Sequence, residues 1–201
     1  MADSKPRGPG KRERLVGSAA KLVHRQGIER TTLAQVAADA DVPLGNVYYY
    51  FKTRDDLLRA VVDARLAEVR QFLAGLDSIA SPEERLRALA TSWTTIADEV
   101  VDFGCPIGGL TAELVKHGGA VGECRAVLLR EIVGWAQEQY RELGHSDPSS
   151  EAESLIARIQ GAALVASAFG DRDLLDREFA SIEHAIRAPE VTSRRRAPRR
   201  R

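Results

Sequence analysis

The 201-residue sequence predicts an all-α fold, on three observations. Ala, Leu, Arg and Glu are plentiful, while strand-forming runs of Val, Ile, Thr and Tyr are missing. Apolar residues recur at three- and four-residue spacing along the longer segments. Those segments are also punctuated as helices are, with Ser, Thr or Pro at their starts and Gly at their ends.

The first helix is predicted over about residues 10–26, where Leu15, Ala19, Leu22 and Val23 form one stripe and Gly27 is the stop. A short second helix opens at TLAQVAADA. There Thr32 and Gln35 have capping-box spacing, and Leu33, Val36, Ala37 and Ala40 make the buried face. DVP breaks the chain: Asp41 tolerates a left-handed turn position, and Pro43 suits the first turn of the third helix, PLGNVYYY. Thr53 caps the fourth, whose first turn holds Asp55 and Asp56 where the helix dipole favours anions. It runs to about Ala74.

Ser81 and Pro82 launch a helix predicted to continue to about Asp102. GCPIGGLTAELVKHGG is a short helix between glycines. A long helix follows from about Val121 to Leu143, with Val121, Cys124, Val127, Leu128, Ile132 and Trp135 as its stripe, which puts Cys124 in the core. Two more run from about Ser150 to Phe169 and from about Leu174 to Arg187. The elements divide into a disordered basic arm over 1–9, a three-helix helix-turn-helix domain over 10–53, a second helical domain over 54–188 and a disordered Arg-rich tail over 189–201.

The formal net charge is zero, but it is partitioned. Residues 1–60 hold eleven Lys/Arg against seven Asp/Glu; residues 61–187 hold twelve against twenty-one. A basic first third on an acidic body points to one end that meets a polyanion. No apolar run reaches the roughly 20 residues that span a bilayer, so no membrane partner is expected. The N-terminus lacks the apolar core of a signal peptide, and the cytoplasm is the expected compartment. Two cysteines, Cys105 and Cys124, make neither a disulfide framework nor a metal quartet, and the four histidines lack ligand spacing. No metal and no cofactor are expected.

Three of the four tyrosines are adjacent, at Tyr48, Tyr49 and Tyr50. Three successive helical residues fan over about 200° and cannot share one face. Val47, Tyr50 and Phe51 fall together, and Val47 and Phe51 mark that face as core. Gly45, Tyr48 and Tyr49 then face outward with Asn46 at the edge. Two short helices joined by a tight turn, the second with outward aromatic and polar groups, form a helix-turn-helix that suits the DNA major groove. Phenol hydroxyls reach phosphates, rings pack on thymine methyls, and a glycine lets the backbone come close.

The segment TTLAQVAADADVPLGNVYYYFKTRDDLLRAV, Thr31 to Val61, resembles the DNA-binding domain of the TetR family of transcriptional regulators. The resemblance implies an all-helical homodimer bound to double-stranded operator DNA through helices one to three, with a C-terminal ligand pocket and dimer interface. Carried over by position, it implies DNA contacts from Thr32, Asn46, Tyr48, Tyr49, Lys52 and Arg54. Thr32 and Arg54 would hold phosphates, and Asn46 would meet base edges beside Leu44 and Gly45. Three positions depart from the family pattern: Asp41 replaces the turn Gly, Pro43 the capping Ser or Thr, and Leu44 a frequent Lys. Leu44 cannot donate to guanine, so apolar contact is expected there. The arm KPRGPGKRER is similar to those that lie along DNA in the family, though it could equally be solubilising. The tail RRRAPRRR could add nonspecific affinity.

Further on, FGCPIGGLTAEL, Phe103 to Leu114, is similar to a Gly-Cys-Pro-x-Gly element in regulators of the LmrA/YxaF type, which implies a repressor released by an apolar or planar small molecule. Cys105 sits at a helix start, where peptide N–H groups favour a thiolate. It is a redox or electrophile sensor, a ligand contact or a small core residue. Trp93, Phe103, Cys105, Leu110 and Trp135 are the candidate pocket lining, the aromatics among them being candidates for plain core as well. Gly161, Ala163, Ala166 and Phe179, on the last two helices, are the candidate dimer interface. Two other classes stand beside this reading. A DNA-binding factor without an effector would lack a pocket. An enzyme using Cys105 and His117 would have them ~18 Å apart along one helix, too far for a nucleophile and its base.

Overall fold

The computed structural model describes residues 10–186. Among them are eleven α-helices, two 3-10 turns and no strand. The first four helices are α1 (Lys11–Gln26), α2 (Leu33–Asp39), α3 (Leu44–Tyr50) and α4 (Arg54–Leu76). They follow their sequence signals. Thr32 and Thr53 each accept the N–H of the third helical residue, and Gln35 and Asp56 close the boxes. Asp41 takes the left-handed turn with φ 50°, and Pro43 occupies the α3 cap without a side-chain bond. The predicted arm over 1–9 and tail over 189–201 lie outside the described residues.

The rest comprises α5 (Pro82–Thr91), α6 (Ala97–Phe103), α7 (Pro106–His117), the single turn α8 (Gly119–Gly122), α9 (Val127–Glu142), α10 (Pro148–Phe169) and α11 (Arg172–Ala185). Two predicted helices are broken. The one expected from Pro82 to Asp102 turns 3-10 over Ser92–Ile96. In that stretch Ser92, Thr94 and Thr95 each donate to the carbonyl three residues back at 2.7 Å, a local bond that competes with the α-helical ladder. The long helix expected from Val121 begins only at Val127. Gly118 and Gly119 hold φ of 72° and 60°, and a Cβ on Gly122 would lie 3.2 Å from the Leu114 carbonyl, so α7 and this turn approach through bare backbone. Cys124, predicted as core, sits on the second 3-10 turn, half-buried, with the Arg59 Nη1 3.2 Å from its sulfur.

Two hydrophobic cores share α4. Its first half contributes Leu57, Leu58, Val61 and Val62 to the core of α1–α3, and its second half contributes Val69, Leu73 and Leu76 to that of α5, α9, α10 and α11. α7 also crosses this division. Leu110 and Leu114 belong to the first core, while Ile107 packs on both. Polar contacts hold α7 to the first three helices and the start of α4: Glu113 Oε2 accepts the Ile28 N–H at 2.8 Å, and His117 Nε2 lies 3.1 Å from Asp55 Oδ1. From α1, His24 Nε2 lies 2.9 Å from the Gly104 carbonyl and its Nδ1 3.3 Å from Glu99 Oε1. The start of α7 is therefore joined to the helix-turn-helix by a continuous run of packed side chains.

Candidate nucleic-acid interface and adjoining cavity

The turn and α3 form one exposed face. Val47 and Phe51 are buried, pinning α3 to α1, α2 and α4. That anchoring turns Tyr48 and Tyr49 outward, 50% and 76% exposed, with Leu44 and Gly45 beside them. No atom lies within 4 Å of where a Gly45 Cβ would stand, so the α3 backbone is open to close approach. Asn46 is half-buried at the edge. Tyr50 is half-buried against the core and meets Tyr49 edge-to-face, centroids 5.0 Å apart. This matches the face assignment from spacing.

The supporting contacts are local. Lys52 Nζ caps the Tyr48 carbonyl at 3.0 Å, and Arg12 lies over the Phe51 ring at 5.4 Å. Lys21 donates to Asp39 at 2.6 Å, tying α1 to α2, and this bond holds the Asp39 carboxyl below its usual range. Arg54 is half-buried and its guanidinium donates to the Ile28 carbonyl, so part of it braces the fold. Thr32 is exposed, its hydroxyl held in the cap of α2.

A cavity of about 270 Å³ lies between α4, α5, the 3-10 turn and the start of α7. Val69, Phe72, Leu89, Trp93, Ile107 and Ile132 give it an apolar wall, and Arg65 and Glu68 also line it. Of the residues predicted to line a pocket, Trp93 does. Cys105 is buried immediately behind: its sulfur accepts the Trp93 indole N–H and the Gly108 N–H, both at 3.4 Å. The other three line no part of it. Phe103 is exposed between His24 and Arg25, Leu110 is in the first core, and Trp135 bonds Asp77 at 2.8 Å over a separate groove. Each is held by its own partners: Phe103, at the end of α6, by the α1 side chains His24 and Arg25, Leu110 by the first core and Trp135 by Asp77. The lining residues on α4 were missed; their apolar spacing was legible, but it reads equally as core.

The predicted dimer residues divide in the same way. Ala163, Ala166 and Phe179 are buried within the protomer, Phe179 stacked on Trp93 at 6.5 Å. Gly161 does face outward, beside Leu164 and Phe169, which are 70% and 73% exposed. With α10 so rich in alanine, spacing could not say which small face was the inner one. Among the described residues no helix is long and apolar enough to cross a membrane, and no group of three His, Cys, Asp or Glu could hold a metal ion.

Residues 15–61 match the family described as bacterial regulatory proteins, tetR family. The chain is 25% identical over 159 residues to the HTH-type transcriptional regulator LmrA of Bacillus subtilis, covering 77% of this chain and 85% of that protein. It is 29% identical over 147 residues to the HTH-type transcriptional repressor KstR2 of Rhodococcus jostii, covering 71% and 65%. A TetR transcriptional regulator from Legionella pneumophila superposes with a TM-score of 0.77 at 17% identity, over 93% of this chain and all of that one. Residues 15–61 thus form a helix-turn-helix of the tetR family, and the whole chain is similar in sequence and in its two-part helical fold to transcriptional regulators of that family.

Proposed function

We propose that the chain is a cytoplasmic homodimeric repressor, not an enzyme, that holds operator DNA through α2 and α3 and releases it when a small apolar or planar molecule fills the cavity. The observation that carries this reading is the outward Tyr48–Tyr49 pair beside an unobstructed Gly45. An exposed aromatic cluster on a short helix needs a partner to cover it, and the major groove fits. In this reading Thr32, Pro43, Leu44, Gly45, Asn46, Tyr48, Tyr49, Lys52 and Arg54 are the contact set, with Arg54 sharing its donors between fold and phosphate. The outward face of α10, with Gly161, Leu164 and Phe169, joins the two copies.

Release follows from the position of α7. Its first residues, Pro106 and Ile107, line the cavity, and its far end grips Ile28 and Asp55. A ligand that moves Ile107 shifts this lever between two packed arrangements and so changes the spacing of the two reading heads. Selection from random duplexes tests the DNA assignment: a two-fold symmetric sequence is expected to be enriched, and no enrichment at low salt would reject it.

The cysteine takes a structural role in this reading. Cys105 caps α7 and is enclosed by Trp93, which leaves its sulfur little access to an electrophile. Cys105→Ser is expected to bind DNA and to answer a noncovalent effector as the parent does, as read by gel shift. Loss of the response in this variant, with folding intact, would restore the sensor alternative.

A further inference from the structure

We propose that the effector is an amphipathic monocarboxylate, a compact apolar body whose carboxylate pairs with Arg65; this rests on reading the cavity as the effector site. The lining divides by chemistry. Its apolar wall has little to offer a polar head, because the Trp93 indole N–H is already committed to Cys105. Ser92 and Thr95 donate their hydroxyl protons to the Leu89 and Ser92 carbonyls, which leaves their oxygens as acceptors. Arg65 is the one cation among the described lining residues. Of the five N–H bonds a guanidinium carries, one from its Nη1 goes to Glu68 at 2.8 Å.

Glu68 lies at the same mouth, so the sign of the head group rests on a comparison of the two. The Arg65 side chain is 28% exposed and that of Glu68 62%. The cation is the inward member, and the carboxylate stays hydrated. A ligand carboxylate reaching Arg65 exchanges one N–H···O contact for a bidentate pair in a drier setting. A ligand ammonium would instead meet Glu68 in water, where a pair contributes little, and beyond it only the neutral Ser92 and Thr95 oxygens. The volume is that of about nine water molecules at ~30 Å³ each, which suits a chain of about eight carbons or one substituted ring.

The same two residues give the charge a mechanical consequence. Arg65 and Glu68 also line the cleft between α1 and α4, together with Arg12, Glu13 and Asp63. Drawing Arg65 toward a ligand leaves Glu13, Asp63 and Glu68 there against Arg12 alone. Like-charge repulsion then acts on α1, the helix against which α2 packs, with α3 packed on α2 in turn.

Calorimetric titration of the full chain with octanoate, 1-octanol and octylammonium separates the possibilities. Octanoate is expected to bind at least about tenfold more tightly than the other two. Arg65→Gln is expected to erase that preference while keeping the affinity for 1-octanol, and Glu68→Gln to strengthen octanoate binding. Arg65→Lys, with the charge but without the planar fork, is expected to fall between, and it serves should Arg65→Gln fail to fold. Equal binding of octanoate and 1-octanol, or tighter binding of octylammonium, would overturn the carboxylate assignment and leave the cavity reading in place. Binding of none of the three would overturn both.

Discussion

Leu164→Glu is expected to give a folded monomer that has lost its operator. Leu164 is exposed within the protomer on an α10 face that continues through Gly161 and Phe169, so a glutamate there disturbs no internal packing. In a two-fold interface each substitution occurs twice, and a leucine contributes about 2–3 kcal/mol when covered. Losing both, and setting two carboxylates near one another, weakens dimerisation by about a thousandfold or more. Two reading heads no longer share one DNA, so operator affinity falls by about 10²–10⁴. Ala163→Glu and Ala166→Glu are expected to behave differently, because both alanines are fully buried and a charge there prevents folding. Light scattering with a melting curve distinguishes the outcomes: a dimeric, stable Leu164→Glu protein would move the interface elsewhere.

That contrast marks where the sequence was legible. Near the N-terminus, capping boxes, a left-handed turn and a strict inside–outside alternation act within a few residues, so Thr32, Asp41, Val47 and Phe51 could each be placed from their neighbours. α10 offers no such alternation. Its alanines are small enough to sit in a core or at a close interface, and only the packing of α6, α9 and α11 against it decides which. The two broken helices failed for a different reason. Periodicity at 3.6 residues survives a turn or two of 3-10 helix, so the apolar stripe ran on through Ser92–Ile96 while the backbone did not. The cluster of Ser and Thr around Trp93 was the available warning.

The cavity adjoins that break. Phe103, expected to line a pocket, lies exposed between His24 and Arg25. Instead the 3-10 turn sets Trp93 between the cavity and Phe179, with Cys105 behind it. A pocket of this kind is assembled from residues far apart in sequence, Arg65, Trp93, Ile107 and Ile132 among them, and no local rule joins them. Part of the domain division was hidden in the same way. The core of the reading head includes Leu110, Leu114 and Leu128 from beyond residue 54, so the first domain is not closed by its own chain segment.

Truncating both outward tyrosines, Tyr48→Ala with Tyr49→Ala, is expected to abolish specific binding while leaving the melting temperature within a few degrees of the parent. Both rings are mainly solvent-exposed, so their removal uncovers little core, and the loss for Tyr49 is chiefly its edge contact with Tyr50. On the operator each ring is a base-edge or phosphate contact of about 1–3 kcal/mol, and each is made twice by a dimer. The combined loss is expected to exceed about 10³-fold in affinity, with specific binding falling to the salt-dependent nonspecific level. Phe51→Ala is the control with the opposite signature. That ring is buried against α1 and under Arg12, so its removal costs about 3–5 kcal/mol of stability and takes DNA binding with it only by unfolding the head. Tyr50→Ala, half-buried, is expected to lower stability by an intermediate amount. Melting curves and operator titrations, run on the parent and these three variants, separate lost contacts from lost folding. An early-melting tyrosine double variant that keeps its operator would mean that α3 presents the other face.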